Sequence, residues 1–393
     1  MKIALVDPSL FTWPYDHALV DGLSGSGHSV TLFTKHLSPK EPGKNAPEIV
    51  EFFYPGLQTD WAQKLPHAMF LALKGLMHPI CLLNLLRHLR RMQPDVIHFQ
   101  WAPLPVVDRF FLPALRGIAP AILTVHDSAP FNDNPRSILQ RIGAISIMSS
   151  FDRLIVHTNR ARQRLIDYGL PADKITIIPH GVMDSDSVPL APFEKSSASG
   201  PVTVLLFGKI KPYKGTDVLI RALAAMPAAS RARCRVHVVG KPYMDMEPLF
   251  ALARELGVES NIIWDLRFVA EDELTRIFAE ADMIVMPYRE IDASGVLMFG
   301  LSIGLPIVAS RIGLFAEVLE NGEHGRLVTP DEPDELAEAL TALVDSSAER
   351  ARMSRNVQAL RDSLPDWQTV GAQTTALYDV ALGEFNGARR STS

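Results

Sequence analysis

The chain has 393 residues, 47% hydrophobic and 21% charged, the composition of a globular protein able to bury a core in about two domains. A formal net charge of −5 excludes a general nucleic-acid-binding role. Two cysteines, Cys81 and Cys234, exclude a disulfide framework and are compatible with a reducing compartment. Charge is unevenly spread: through Leu190, 18 Lys+Arg face 16 Asp+Glu, whereas beyond it 21 face 28. Ten of the 12 histidines also precede Leu190. The first half is therefore the one expected to meet an anionic surface or to use imidazole chemistry.

The opening M-K-I-A-L-V-D-P is too short for a signal peptide, and Lys2–Val6 reads as a buried parallel strand. Helical spacing follows over Asp16–Leu23, then a strand over Ser29–Phe33, the strand–helix–strand start of a Rossmann-like sheet. The loop Pro8–Tyr15 lies at the carboxyl edge of the first strand, where such sheets bind ligands, and introduces Trp13, Tyr15, Asp16 and His17. About half of these are expected to serve packing and helix initiation. Ile49–Tyr54 is a further strand. Trp61–Arg91 combines a long apolar series, from Met69 to Leu86, with Lys64, Lys74, Arg87, Arg90 and Arg91. Lys74, Pro79 and several histidines argue against a transmembrane helix. Two readings stay open: a basic amphipathic segment lying on an anionic membrane surface, or a helix pair packed on the sheet with its basic end solvated.

Strands are expected over Asp95–Trp101, Ala121–Val125, Arg153–His157 and Ile175–Ile178. Their ends deliver His98, Gln100 and Trp101, then His126 and Asp127, then His180 and Gly181. A His-Asp pair at a strand end suits acid/base work or sugar binding, although one such pair alone is often structural. Repetition at several strand ends is the stronger signal.

Asp184–Pro201, rich in Pro, Ser, Ala and Gly, is the expected domain boundary. Asp184-Ser185-Asp186 inside it resembles an acidic metal motif but lacks a third ligand nearby, and no metal is expected. Beyond it, a strand over Val202–Leu206 leads into F-G-K-I-K-P-Y-K-G-T, Phe207 to Thr216. Lys209 and Lys214 flank a Gly/Pro-rich turn before a helix, where amide groups, helix dipole and ammonium groups converge on a diphosphate. Taken alone, that lysine pair is better read as a solvated loop. Strands follow at Arg235–Val239, Ile262–Trp264, Met283–Met286 and Pro306–Ser310. They alternate with helices at Thr216–Met226, Met246–Leu256, Glu271–Ala279 and Gly295–Gly304, which implies a second parallel sheet covered on both faces. Ser294 and Gly295 at a helix start present amides to an anion. Arg289, Glu290 and Asp292 before them either hold sugar hydroxyls or form a solvated loop.

Several of these motifs together resemble family-four glycosyltransferases. F-G-K-I-K-P-Y-K-G, P-Y-R-E-I-D-A-S-G-V-L…G-L-P-I-V-A-S and G-L-F-A-E-V-L-E-N-G-E-H-G-R-L-V are similar to that family's nucleotide-sugar half. T-V-H-D and I-I-P-H-G-V resemble its acceptor-side strand ends. The resemblance covers most of the chain and implies an α/β, GT-B architecture of two Rossmann-like domains facing across a cleft. It implies an acceptor-side domain at 1–190 and a nucleotide-sugar domain at 191–365. A last helix, within 366–393 and containing Trp367, would cross back to the first domain. By this resemblance Lys209 and Lys214 bind the donor diphosphate, with Lys at 209 where Arg is more usual, and His126 lies beside the transferred sugar. Residues and resemblance together nominate His126, Lys209 and Lys214 as catalytic. They nominate Gly208, Glu290, Asp292, Ser294, Gly295 and Val296 for the donor. Tyr15, Asp16, Trp101, Asp127, His180 and Gly181 are nominated for the cleft and acceptor.

The expected activity is transfer of a sugar from a nucleotide sugar to a saccharide or lipid-linked saccharide, in polysaccharide or glycolipid synthesis. The resemblance implies retention of configuration, with no metal and no cofactor. The expected location is cytoplasmic, peripheral on the inner membrane face through 61–91. Two departures stand out. Phe299 occupies the position of the second of the family's paired glutamates and Ile291 that of the first, which resembles a subgroup carrying S-G-V-L; and P-Y-D-H replaces an early Gly-Gly. Phe299 keeps a non-catalytic sugar-nucleotide-binding subunit as an alternative, beside a GT-B nucleotide-sugar epimerase.

Overall fold

A computed structural model describes residues 1–37, 48–128, 143–182 and 201–391. The chain divides into two compact units, 1–180 with 365–393, and 181–364. The division falls at His180/Gly181, earlier than the boundary read from the sequence. Most of the linker, with Asp184-Ser185-Asp186, lies outside the described residues.

The first unit holds seven strands: β1 (Lys2–Asp7), β2 (Ser29–Lys35), β3 (Ile49–Phe53), β4 (Val96–Phe99), β5 (Ala121–Thr124), β6 (Arg153–Val156) and β7 (Ile175–Ile177). They pair in parallel in the order β3-β2-β1-β4-β5-β6-β7. The second unit holds β8 (Val202–Phe207), β9 (Cys234–Val239), β10 (Ile262–Asp265), β11 (Met283–Met286), β12 (Ile307–Ser310) and β13 (Gly325–Val328). Their order is β10-β9-β8-β11-β12-β13, again parallel. Unbroken apolar runs form these strands because helices cover both faces: Ile3, Ala4, Leu5 and Val6 are all inaccessible to solvent. In each sheet the order reverses beside the first strand, between β1 and β4 and between β8 and β11. Ligands of open α/β sheets bind outside the strand carboxyl ends at such reversals.

The helix Trp367–Ser391 packs within the first unit, against the helix Trp13–Gly25. Glycine makes that contact possible. A side-chain carbon at Gly22 would lie 2.0 Å from the Trp367 carbonyl oxygen, and one at Gly371 would lie 2.5 Å from the Gly22 backbone. His28 Nε2 and Thr375 Oγ1 are hydrogen-bonded at 2.9 Å along the same seam.

The segment read as a helix pair is a short turn of helix, Asp60–Gln63, followed by one long helix, His67–Met92, that runs through Pro79. Its second half buries Cys81, Leu82, Leu85, Leu86 and Leu89. Met69, Leu76, Ile80 and Leu83 recur at helical spacing on the outer face and are 57%, 72%, 61% and 39% exposed. Length and composition alone suit this helix to crossing a membrane, while its second half packs into the core of the first unit. The sequence reading assigned nothing to Pro105–Arg116, a helix carrying Pro105 at its start and Pro113 within.

Candidate functional site

In the second unit, β8 ends at Phe207 and Gly208 follows with φ 106°. A side-chain carbon there would sit 3.0 Å from Lys214 Nζ and 3.6 Å from Val296 Cγ2. Gly208 thus allows the lysine and the start of the helix Gly295–Ile303 to close on the strand end. Gly215, at φ 66°, brings the backbone against Pro287, whose carbonyl oxygen would lie 2.0 Å from an added carbon. The loops after β8 and β11 are pressed together at this sheet's reversal point.

Lys214 is 4% exposed. Its Nζ donates to the Phe207 carbonyl at 3.0 Å and to the Tyr288 hydroxyl at 2.6 Å. Among the described residues no carboxylate forms an ion pair with it. Burial, then the Lys211 and Lys209 ammonium groups, push its pKa down to about 7. Lys209 keeps an exposed side chain, and partial desolvation, then the Lys211 ammonium, lowers its pKa. Ser294 caps the helix Gly295–Ile303, its Oγ accepting from the Leu297 amide at 3.2 Å. The Gly295 and Val296 amides belong to the first turn and have no intrahelical acceptor. Half-buried Glu290 and buried Asp292 lie on the loop leading to that cap.

One side chain here acts differently from the sequence expectation. Arg289 is a strut: its guanidinium donates to Asp217 at 2.7 and 3.0 Å, pairs with Asp331 at 2.7 Å and donates to the Pro212 carbonyl at 2.7 Å. It locks the loop carrying Lys214 instead of standing open to a sugar. Phe299 packs edge-on against Phe278 at 4.7 Å, and Phe278 against Phe207 at 5.0 Å. Aromatic packing thus holds the position at which a ribose-binding carboxylate is usual.

In the first unit, the carboxyl ends of β4 to β7 bring His98, His126, His157 and His180 together. His126 and His157 ring centroids are 5.3 Å apart, and His157 and His180 5.6 Å apart. Tyr15 meets His126, His157, His180 and Trp367 at 4.8 to 5.2 Å. Trp101 stacks on His126 at 5.4 Å with 20° between the planes, and its Nε1 donates to Thr12 Oγ1 at 3.2 Å. His126 Nε2 lies 2.9 Å from Gln100 Oε1. That oxygen only accepts, so the proton sits on Nε2 and Nδ1 is left as the acceptor. Behind it, His98 is hydrogen-bonded to the Tyr378 hydroxyl at 2.6 Å and to Thr124 Oγ1 at 2.7 Å. Burial, then His157, pushes His98 down to about 3. Burial first, then His157, His180 and His98, holds His126 well below the ordinary imidazole value. Near neutral pH His98 and His126 are uncharged.

The sequence nominates Tyr15 and Asp16 as acceptor contacts; the structure buries both. Tyr15 is 4% exposed and Asp16 has no exposed surface. Asp16 accepts from Thr12 Oγ1 at 3.2 Å and, with burial and neighbouring Asp7 both raising its pKa, supports the loop from behind. Trp101, His126 and Asp127 remain partly accessible and line a narrow, mainly apolar pocket with Ala102, Leu123 and Met148. His180 and Gly181 are buried on either side of the division between the units. Sequence reasoning missed Tyr378, Thr124 and Tyr288, since nothing in their local pattern distinguishes them from core residues. Among the described residues, no cluster of three or more His, Cys, Asp or Glu is arranged to hold a metal ion.

Comparison with known proteins agrees with this arrangement. Residues 15–185 match the family model described as Glycosyltransferase Family 4, and residues 201–346 the model described as Glycosyl transferases group 1. The D-inositol 3-phosphate glycosyltransferase of Pseudarthrobacter chlorophenolicus is 26% identical over 95% of this chain and 91% of its own. The enzyme of that name from Nocardia farcinica is 27% identical over 65% of this chain, which spans only 59% of that relative. Among solved structures, Anabaena Alr3699/HepE with UDP and glucose aligns over 97% of this chain and 100% of its own, at TM-score 0.71 and 18% identity. Sucrose-phosphate synthase from Thermosynechococcus elongatus aligns over 98% of this chain and 100% of its own, at TM-score 0.76 and 17% identity. Two adjoining family matches over most of the chain, on two sheets that each reverse at a residue-rich edge, place this protein in family four of the GT-B glycosyltransferases.

Proposed function

We propose that this protein transfers a sugar from a nucleotide sugar to a saccharide or lipid-linked saccharide acceptor, with retention of configuration and without a metal, in polysaccharide or glycolipid synthesis. The observation that carries the reading is Lys214, a buried cation without a carboxylate partner among the described residues, beside Gly208 and the free amides of a capped helix. Such a group is unfavourable unless an anion completes it, and a diphosphate fits amides, helix dipole and ammonium together. As the glycosidic bond breaks, charge grows on the leaving diphosphate. Lys214, Lys209 and the Gly295 and Val296 amides are donors for that charge. A uridine diphosphate leaving group is the first to test, because the HepE neighbour is a complex with UDP and glucose. His126, neutral and with its tautomer held by Gln100, then contacts the transferred sugar, and the departing phosphate deprotonates the acceptor.

The outer face of the helix His67–Met92 supports peripheral binding to an anionic membrane. Its exposed apolar row is followed by exposed Arg87, Arg90 and Arg91, the pattern of an interfacial helix. Flotation with anionic vesicles tests this, and absence of binding rejects it. For the activity, a thermal-shift screen of nucleotide sugars is expected to give a raised Tm with one donor class and none in Lys214→Ala. An equal shift in that variant, or release of no nucleoside diphosphate with any acceptor pool, overturns the assignment.

A further inference from the structure

The surroundings of the anion cradle in the second unit differ from one side to the other. On one side runs the loop with Glu290 and Asp292, fastened to the start of the helix Gly313–Val318 beyond β12. The Asp292 carbonyl accepts from the Leu314 amide at 3.2 Å, and a side-chain carbon at Gly313 would lie 1.8 Å from the Ile291 carbonyl oxygen.

On the other side stand aromatic rings. Phe207 ends β8, and its carbonyl accepts from Lys214 Nζ at 3.0 Å. Its ring packs on Phe278 at 5.0 Å, and Phe278 packs on Phe299 at 4.7 Å. Phe278, 1% exposed, is the floor, while Phe207, Val296 and Phe299 are half-buried over it. Phe299 lies one turn beyond the Gly295 and Val296 amides on the same helix face. Long helical side chains lean toward the N-terminus, which carries the Phe299 ring toward those amides. Carboxylates on this side are committed to arginines: Glu273 pairs with Arg267 at 2.7 Å, Asp265 with Arg267 at 2.9 Å, and Glu280 with Arg276 at 3.0 Å.

We propose that Phe207 and Phe299 seat the pentose of the leaving nucleoside diphosphate by apolar contact, so that 2′-deoxynucleoside diphosphate sugars, such as those of thymidine, are donors. The inference rests on the donor reading above for the place of the diphosphate, and it adds the class of nucleoside. A diphosphate on the cradle leaves the two halves of the donor in unlike surroundings. The hydroxyl-rich transferred sugar suits the loop with Glu290 and Asp292, and the pentose suits the rings. The 2′-methylene of a deoxypentose packs on an aromatic face, whereas a 2′-hydroxyl placed there gives up water without an acceptor in return. A site that hydrogen-bonds a hydroxyl strongly rejects the analogue lacking it; a phenyl ring provides no such discrimination.

Calorimetric titration with UDP and with 2′-deoxyuridine diphosphate, which differ by one oxygen atom, tests this. The deoxy compound is expected to bind at least as tightly as UDP. A dissociation constant more than about threefold above that of UDP overturns the proposal. Lys214→Met is expected to weaken both ligands alike, which puts them on the cradle; unchanged affinity in that variant overturns the proposal and the donor assignment together. Phe299→Glu places a carboxylate on the seat and is expected to select UDP over the deoxy compound about tenfold or more. Phe299→Leu keeps the seat apolar and is expected to bind the two alike. Equal affinity in folded Phe299→Glu also overturns the proposal, and the wild-type comparison decides should that variant fail to fold. Failure of the wild type to bind either compound removes the donor reading along with this one, whereas binding that favours UDP removes this one alone.

Discussion

Tyr288 holds Lys214 twice, through its hydroxyl at 2.6 Å and through a ring whose centroid lies 4.5 Å from the ammonium. One buried cation thereby ties the loop after β8 to the end of β11, the two strands at the reversal of the second sheet. An anion binds the protonated form, and the free group has its pKa near 7. Below that value Lys214 is already charged; above it, binding must take up a proton. UDP affinity is therefore expected to fall with rising pH, by up to about tenfold per unit between pH 7 and 9. Titrations in buffers of different ionisation enthalpy read the proton uptake directly. Lys214→Met is expected to bind weakly with no dependence in this window.

Gln100 acts on His126 without standing open to a ligand. Its Oε1, 2.9 Å from His126 Nε2, selects one tautomer. Gln100→Leu removes that selection and is expected to lower kcat about tenfold or more while KM changes less than threefold. Ring nitrogen NMR of His126 provides the separate readout. A tautomer mixture in the variant supports the role, and an unchanged spectrum rejects it.

Buried neutral imidazoles make stability depend on pH. The folded pKa of His98 is about 3, against about 6.5 unfolded. Between those values the unfolded chain binds the proton and the folded one does not, so stability is complete above about pH 6.5 and declines as pH falls. The slope is up to about 1.4 kcal/mol per unit for each such histidine. Denaturation from pH 7 to 5 is expected to show it, and His98→Gln to reduce the slope by about one proton.

Gly22 sets the approach of the helix Trp367–Ser391, since an added carbon would meet the Trp367 carbonyl oxygen at 2.0 Å. Gly22→Ala is expected to cost about 2–4 kcal/mol, as overpacking against backbone does. Tyr378→Phe, which takes the hydroxyl from His98, is expected to cost about 1–3 kcal/mol. Urea midpoints measure both. A neutral Gly22→Ala rejects the close-contact reading of this seam.

The sequence by itself determined the two parallel sheets, because unbroken apolar runs such as Ile3–Val6 and Val204–Leu206 have no stable place except between layers of helix. It also brought forward Phe207–Thr216 and Ser294–Gly295 as candidates for anion binding, through Gly, Lys and cap spacing that acts within one or two turns, although the lysine pair alone read as a solvated loop. Tertiary structure decided what depends on contacts between distant residues. Arg289 reads as a free cation until Asp217 and Asp331 arrive from elsewhere in the chain. Asp16 reads as a ligand group until burial against Asp7 withdraws it. Lys74 reads as an interruption in an apolar helix until Ser9 and Tyr54 are placed beside it. Local spacing governs backbone conformation over a few residues, whereas burial and counter-charge are set by partners tens or hundreds of residues away, as His98 and Tyr378 illustrate.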